Sequence, residues 1–329
     1  MVAGHVAGEG APGPRVSICI PTYNRPVQLR EAIASALAQT ETDIEVIVTD
    51  DAMRQDLASE LSDRRLRYYV NERNLGMAGN WERALSLARG RFVGLLMDDD
   101  RLLPTFTERC LDVFAADPVV GAVFTNHYFD DGTRVVARER LLPEGTYPAF
   151  LPLIVRYKPV AICATLMRRE LWAQVLPLPD IHTADLALQV RAAQAGCVFH
   201  YIDEPLMVYR VHENQLSGDP DFRSHAVALW RLFSFDTGSE EELLRRRLLA
   251  EALLSCAAAH IRRGEVAAAR PLAWEAAGLG VRSSELAWRP RLVAEIAKSG
   301  VAMYGAGRAL QAVDWGRDSL RARRPRKTL

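Results

Sequence analysis

Lysine is almost missing from this chain: only Lys158, Lys298 and Lys327 carry it, and arginine supplies all the rest of the 41 basic charges. Those 41 are matched by 41 acidic residues, so no net charge draws the molecule to nucleic acid or to acidic lipid. The arginine bias reads as GC-rich coding, which points to a high-GC bacterium. Cysteine is sparse. The five present (Cys19, Cys110, Cys163, Cys197 and Cys256) are odd in number, widely scattered and without CxxC or CxxH spacing. That pattern excludes a zinc ribbon or a disulfide framework and fits a reducing cytoplasm. No apolar run reaches the ~18 residues of a spanning helix without charge. The nearest, residues 292–313, is interrupted by Glu295, Lys298 and Arg308. Residues 1–14 lack the basic and apolar regions of a secretory signal and are read as a flexible leader.

What is present is a long alternation of two periods. Residues 16–20 form an apolar, β-branched run stopped by Pro21, and 44–48 a second one ending at Asp50 and Asp51. Residues 67–70 and 92–97 read as further strands, the latter running straight into Asp98, Asp99 and Asp100. Between and after them, 29–37, 77–88 and 104–115 carry helical spacing, and 119–129 is another strand. Such alternation predicts βαβ crossovers and an α/β fold with a mostly parallel sheet flanked by helices. Residues 133–159 show no clear period and are read as an excursion over the active face. Strand character returns at 161–167, a helix is expected over 184–195, and extended segments over 198–202 and 206–209 surround Asp203, Glu204 and Pro205.

From about residue 219 the composition shifts to Leu/Ala-rich helices at 243–260 and 266–279, with a Gly-broken apolar segment at 292–310. This predicts an α-helical appendage whose apolar faces leave room for self-association as a homo-oligomer. From Arg317 onward six basic residues face one acid. That cluster is open to two readings, a solvated tail or a peripheral contact with anionic lipid.

In parallel sheets ligands bind at the carboxyl ends of the strands, near a topological switch point. Both acid clusters fall there. One Asp pair after a strand commonly just starts a turn or caps a helix. Three adjacent carboxylates repel one another, and a cation or ligand is needed to offset that cost.

Five segments, in order, carry a wider resemblance: VSICIPTYNR at 16–25, EVIVTDD at 45–51, NLGMAGNW at 74–81, LLMDDD at 95–100, and YIDEPL with YRVH at 201–212. Together they resemble the inverting family 2 glycosyltransferases of GT-A fold, which use nucleotide sugars. The resemblance covers residues 15–218 and leaves 219–329 outside. It implies a Rossmann-like GT-A domain acting on a UDP- or dTDP-sugar and a sugar, lipid-linked or small-molecule acceptor. It implies a bacterial role in polysaccharide, glycolipid or secondary-metabolite glycosylation, in the cytoplasm or at the inner membrane face.

By the same resemblance, Pro21, Thr22, Tyr23 and Arg25 contact base and ribose, and Asp50 and Asp51 bind the pyrimidine edge and ribose. A carboxylate suits an imide N–H, which donates and needs an acceptor. This chain continues Ala52-Met53-Arg54 where the family has Gly-Ser-Thr, so its turn differs. Asn74 and Asn80 fall where the family closes over the nucleotide. Asp100 matches the metal-binding position of the DXD element, with Mn²⁺ or Mg²⁺ bridging it to the diphosphate, and Asp98 and Asp99 face ribose and sugar. His212 sits where some members add a metal or diphosphate contact. The base that an inverting transfer needs maps to Asp185, with Asp180 as the next candidate. Asp203 and Glu204 are read as turn residues.

Two other classes remain as competitors. One is a degenerate domain that binds a nucleotide sugar or glycan and scaffolds partners through its helical tail. A nucleotidyltransferase would need a Gly-rich phosphate loop after the first strand, which Pro-Thr-Tyr-Asn-Arg does not supply.

Overall fold

The computed structural model describes residues 13–52, 62–140, 142–157, 160–212 and 222–281. These fall into two compact units, one within Met1–Asp180 and Ala184–Gln215, the other within Ile181–Thr183 and Leu216–Leu329. The expected segment at 292–310 and the basic cluster at 317–327 lie outside the described residues.

The first unit runs β1 (Val16–Thr22), α1 (Pro26–Leu37), β2 (Ile44–Asp50), β3 (Leu66–Val70), α2 (Gly76–Ser86), β4 (Phe92–Leu95), β5 (Arg101–Leu102), α3 (Phe106–Ala116) and β6 (Val120–Asp130). It continues with β7 (Val135–Ala137), β8 (Gly145–Tyr147), α4 (Leu151–Tyr157), β9 (Thr165–Arg168), α5 (Arg169–Val175), α6 (Ala184–Gln194) and β10 (Val198–Arg210). The sheet order is β3-β2-β1-β4-β9-β6-β10-β5, with β7 on β6 and β8 on β10. The parallel sheet expected from the first ~120 residues is its β3-β2-β1-β4 half. Beyond β4 the sheet is mixed: β9 runs antiparallel to both β4 and β6, while β6 and β10 are parallel. Two reversals restore the direction, so the carboxyl ends of β1, β2, β4, β6 and β10 share one edge. The order turns back between β1 and β4, and that is where a ligand crevice is expected.

Local chemistry explains the pieces that build this edge. β1 and β2 are buried along their whole length, as befits strands covered on both faces. β1 does not stop at Pro21 but runs on to Thr22. β4 pairs with it only as far as Cys19, so the missing proline N–H breaks no ladder bond on that side. Asn24, with φ of 58°, then turns the chain through the left-handed region, which Asn tolerates. Pro26 opens α1, where its fixed φ is pre-organised. The Leu29, Ala32, Ile33 and Ala36 stripe of that helix packs into the core. A Cβ on Gly90 would sit 2.6 Å from the Ser17 nitrogen, so only glycine lets the chain reach β4 so close to β1.

Three expectations need correction. Residues 133–159 are not a structureless excursion: they hold β7, β8 and α4. These elements are only three to seven residues long, too short to show a period. A further helix, α5, follows β9 directly and was not expected. Asp203, Glu204 and Pro205 are not a turn between two strands. They lie inside one continuous strand, β10, whose pairing with β6 shifts register on both sides of Pro205. A bulge takes up the proline without ending the strand.

The second unit is helical: α7 (Phe222–Leu232), α8 (Glu240–Arg262) and α9 (Val266–Gly278). Ser239 caps α8 by accepting from the Glu242 N–H at 3.1 Å. The Glu242 side chain takes bonds from Arg245 and Arg246, which hold its carboxyl down at about 2. Ala257, Ala258 and Ala269 form the small core between α8 and α9. Among the described residues no helix is long and apolar enough to cross a membrane.

Candidate active site

The loop after β4 places three carboxylates at the switch point. Asp98 reaches back to β1: its Oδ2 accepts from the Thr22 hydroxyl at 2.7 Å, and its Oδ1 from Arg25 Nη1 at 3.0 Å. The same guanidinium donates to Asp99 Oδ2 at 2.6 Å, and His212 Nε2 meets that oxygen at 3.0 Å. One arginine and one imidazole thus offset the repulsion within the triplet. Burial raises the Asp98 pKa above the usual carboxylate range, although the Thr22 and Arg25 bonds oppose it.

Asp100 is the anomaly. It is 2% exposed, and its Oδ1 accepts the backbone N–H of Arg210 at 2.9 Å. Its Oδ2 is buried and has no hydrogen-bond partner. Burial, and then the charge of Asp99, push its pKa up to about 7. The Cys163 thiol, from the short 3₁₀ turn Ile162–Ala164, is a close neighbour of this carboxyl. A buried, costly and half-satisfied carboxylate is the mark of a group held for a ligand.

No three His, Cys, Asp or Glu side chains among the described residues converge into a cation site of their own. The donor set nevertheless fits a hard divalent cation that takes one or two protein ligands and completes its shell with substrate phosphates. Asp100 offers the orphaned oxygen, and His212 lies beside it through Asp99.

The nucleotide-side residues divide into two groups. Thr22, Asn24, Arg25, Pro26, Leu29, Asp50 and Ala52 line a shallow, open cleft at the ends of β1 and β2. Tyr23 stands 59% exposed beside it, while Pro21 is buried within the strand. Asp50 accepts from the Ala52 N–H and from the Tyr68 hydroxyl, both at 2.8 Å, which leaves part of its acceptor capacity open.

Asp51 faces inward. It accepts from Asn71 Nδ2 at 2.7 Å and from the Leu75 N–H at 3.0 Å. Asn80 is 4% exposed and ties the walls together. It donates to the Thr22 and Thr49 carbonyls at 3.2 and 3.1 Å and accepts from Asn71 at 2.9 Å. Asn74 is exposed and accepts from the Gly76 N–H at 2.8 Å, shaping the start of α2.

Asp185 lies in the first turn of α6 and is half-buried. Tyr209 on β10 lies within electrostatic reach of Asp185 as well as of Cys163, Asp100 and Asp99. Asp180 is exposed. Asp203 bonds the Tyr201 hydroxyl at 2.7 Å, and Glu204 pairs with Arg109, so both serve the strand.

Sequence reasoning missed Tyr68, Asn71 and Cys163. Asn71 directly ends the apolar run of β3, a polar signal that could have been read. Cys163 becomes visible only through the pairing of β9 with β4 and β6.

Comparison with known proteins follows the same outline. Residues 17–172 match the family model described as Glycosyl transferase family 2. The chain is 35% identical over 118 residues to a chondroitin synthase of Escherichia coli, a stretch covering 35% of this chain and 17% of that one. It is 27% identical over 207 residues to the E. coli UDP-Glc:alpha-D-GlcNAc-diphosphoundecaprenol beta-1,3-glucosyltransferase WfaP, covering 62% and 80%. It is 40% identical over 96 residues to a GalNAc(5)-diNAcBac-PP-undecaprenol beta-1,3-glucosyltransferase of Campylobacter jejuni, covering 27% and 31%. The chain therefore spans under a third of the length of two of these three relatives. Among solved structures, S. aureus TarS 1–349 in complex with UDP-GlcNAc superposes with a TM-score of 0.62 at 18% identity, over 94% of this chain and 92% of that one. That likeness shows the GT-A fold.

Proposed function

We propose, from the premise that residues 17–172 of this chain belong to glycosyl transferase family 2, that it is an inverting transferase. It would move a sugar from a UDP- or dTDP-sugar to an acceptor hydroxyl. The observation that carries this is the buried, half-satisfied Asp100 beside the Thr22–Arg25–Asp98–Asp99–His212 cluster at the β1/β4 switch point. Relatives named for UDP-Glc and for undecaprenol-diphosphate acceptors, and a neighbour solved with UDP-GlcNAc, support the donor class and a lipid-linked acceptor.

In this reading the base lies in the cleft between β1 and β2. Asp50 accepts the pyrimidine imide N–H with its open capacity, and Thr22, Tyr23 and Arg25 flank base and ribose. Asp51, Asn74 and Asn80 act one step back, as the frame of that cleft, and Pro21 sets the end of β1. A divalent cation, Mn²⁺ or Mg²⁺, held by Asp100 and His212 would supply Lewis-acid stabilisation of the leaving diphosphate. Asp98 and Asp99, fixed by Arg25, face the ribose and sugar. Asp185 takes the acceptor hydroxyl proton as that oxygen bonds to the anomeric carbon. The bond to the diphosphate breaks on the opposite side, and its electron pair leaves with the nucleotide. One displacement inverts the centre without a covalent intermediate. The helical unit is left for acceptor presentation or self-association.

Asp185→Asn tests the assignment, because it keeps shape and removes basicity. Transfer should fall by roughly 10²–10⁴-fold, the usual worth of a positioned base, with donor affinity unchanged. A variant turning over within a few-fold of the parent would move the base elsewhere, with Asp180 next in line.

A further inference from the structure

We propose that the Tyr209 hydroxyl is a specificity-determining contact to the transferred sugar, placed between Asp100 and Asp185. The proposal rests on the glycosyltransferase reading above and adds a residue to which that reading gives no role.

The placement follows from the end of β10. The Arg210 N–H bonds Asp100 Oδ1 at 2.9 Å and pins this strand end against the acid triplet. Tyr209, one residue earlier, lies opposite Phe129 in the parallel register with β6. Its ring meets Phe129 edge-on at 5.8 Å and His127 at 6.0 Å between centroids. His127 is 3% exposed, and burial pushes its pKa down to about 4, so this support is neutral at any working pH. The ring is thus committed to packing, and what the residue can offer a ligand is its hydroxyl.

That hydroxyl is within electrostatic reach of Asp100 and Asp99 on the diphosphate side and of Asp185 on the acceptor side. Among the described residues no hydrogen bond engages it. Burial, and then the surrounding Cys163 and carboxylates, hold the phenol protonated, so it can both donate and accept. The nucleotide cleft at Thr22, Asp50 and Ala52 lies at the ends of β1 and β2. In an in-line displacement the group between leaving diphosphate and base is the sugar ring. Its hydroxyls are donors and acceptors, which a phenol matches on either count.

The test is Tyr209→Phe, which keeps the packed ring and removes one oxygen. Calorimetry with Mn²⁺ compares UDP with UDP-glucose, UDP-galactose, UDP-GlcNAc and UDP-GalNAc, for parent and variant. UDP affinity should stay within twofold of the parent, while affinity for at least one UDP-sugar falls roughly 3- to 10-fold, the worth of one neutral hydrogen bond. Unchanged affinity for all four sugars overturns the proposal. So does a parallel loss for UDP itself, which would put Tyr209 on the diphosphate. Where the parent takes dTDP in place of UDP, dTDP and dTDP-glucose replace them in the same comparison. A parent protein that binds neither nucleotide nor any of these sugars, with Mn²⁺ or Mg²⁺, overturns the glycosyltransferase reading and this proposal together.

Discussion

Replacing Asp100 by Asn should stabilise the ligand-free protein at neutral and alkaline pH while removing the acid this account gives to the cation. Burial raises the Asp100 carboxyl from the ordinary 3.8 to about 7. Between those values the folded chain holds a proton that the unfolded chain releases. Stability contributed at this position is therefore fully present below about pH 4 and is lost as pH rises through about 7. At about 1.4 kcal/mol per pH unit, that displacement corresponds to about 4 kcal/mol as an upper bound. Asn cannot ionise, so the variant escapes the loss. Its Oδ1 keeps the Arg210 bond, but its amide takes the place of an oxygen that has no partner, and leaving that donor unsatisfied returns about 1–3 kcal/mol of the gain. A net gain of about 1–3 kcal/mol at pH 8 remains, or several degrees in melting temperature. At pH 4, where the parent keeps its proton, the sign should reverse and the variant should be the less stable by about 1–3 kcal/mol. Denaturation of both proteins in EDTA across pH 4–8 measures it. Parent and variant curves that stay parallel over that range would refute the reasoning, because Asp100 would then titrate as an ordinary carboxyl.

The same group sets the pH dependence of binding. Mn²⁺-dependent UDP affinity should rise with pH to about 7 and level off, because a proton and the cation compete for Asp100. Calorimetry at pH 5.5, 6.5 and 7.5 reads the slope, and a flat profile would contradict it. Asn80→Ala should cost about 2–4 kcal/mol in urea denaturation, because it removes three buried hydrogen bonds at once, although the Thr22 carbonyl keeps the Asp51 N–H and the Asn71 amide keeps the Asp51 carboxylate. A cost below about 1 kcal/mol would show that water replaces those bonds.

How much of this was readable in advance depends on the length of each signal. β1, β2, β4, β6 and the helices between them announce themselves, because each lies in a run of five or more residues of one period and is buried as that period requires. β7, β8 and α4 do not, since three to seven residues cannot establish a period. β9 reads as a strand, but nothing local says that it runs backwards between β4 and β6. That reversal is decided by which strands remain unpaired. The triplet at 98–100 was legible because three adjacent carboxylates are costly anywhere. Which oxygen stays unsatisfied was not, because it depends on Arg210 arriving from 110 residues away. Asp51 and Asn80 show the converse. A motif places them at the nucleotide, whereas their bonds run inward to Asn71, Leu75, Thr22 and Thr49, so they shape the cleft from behind.

Calorimetric titration of UDP and dTDP into the parent protein, with Mn²⁺ and then with excess EDTA, tests the central claim most directly. The account expects saturable one-to-one binding of at least one of the two with the cation present. That binding should be lost both on chelation and in Asp100→Ala. Binding of equal strength with EDTA, or in Asp100→Ala, would contradict the assignment of Asp100 to a cation-bridged diphosphate. No binding of either nucleotide under any of these conditions would contradict the glycosyltransferase reading itself.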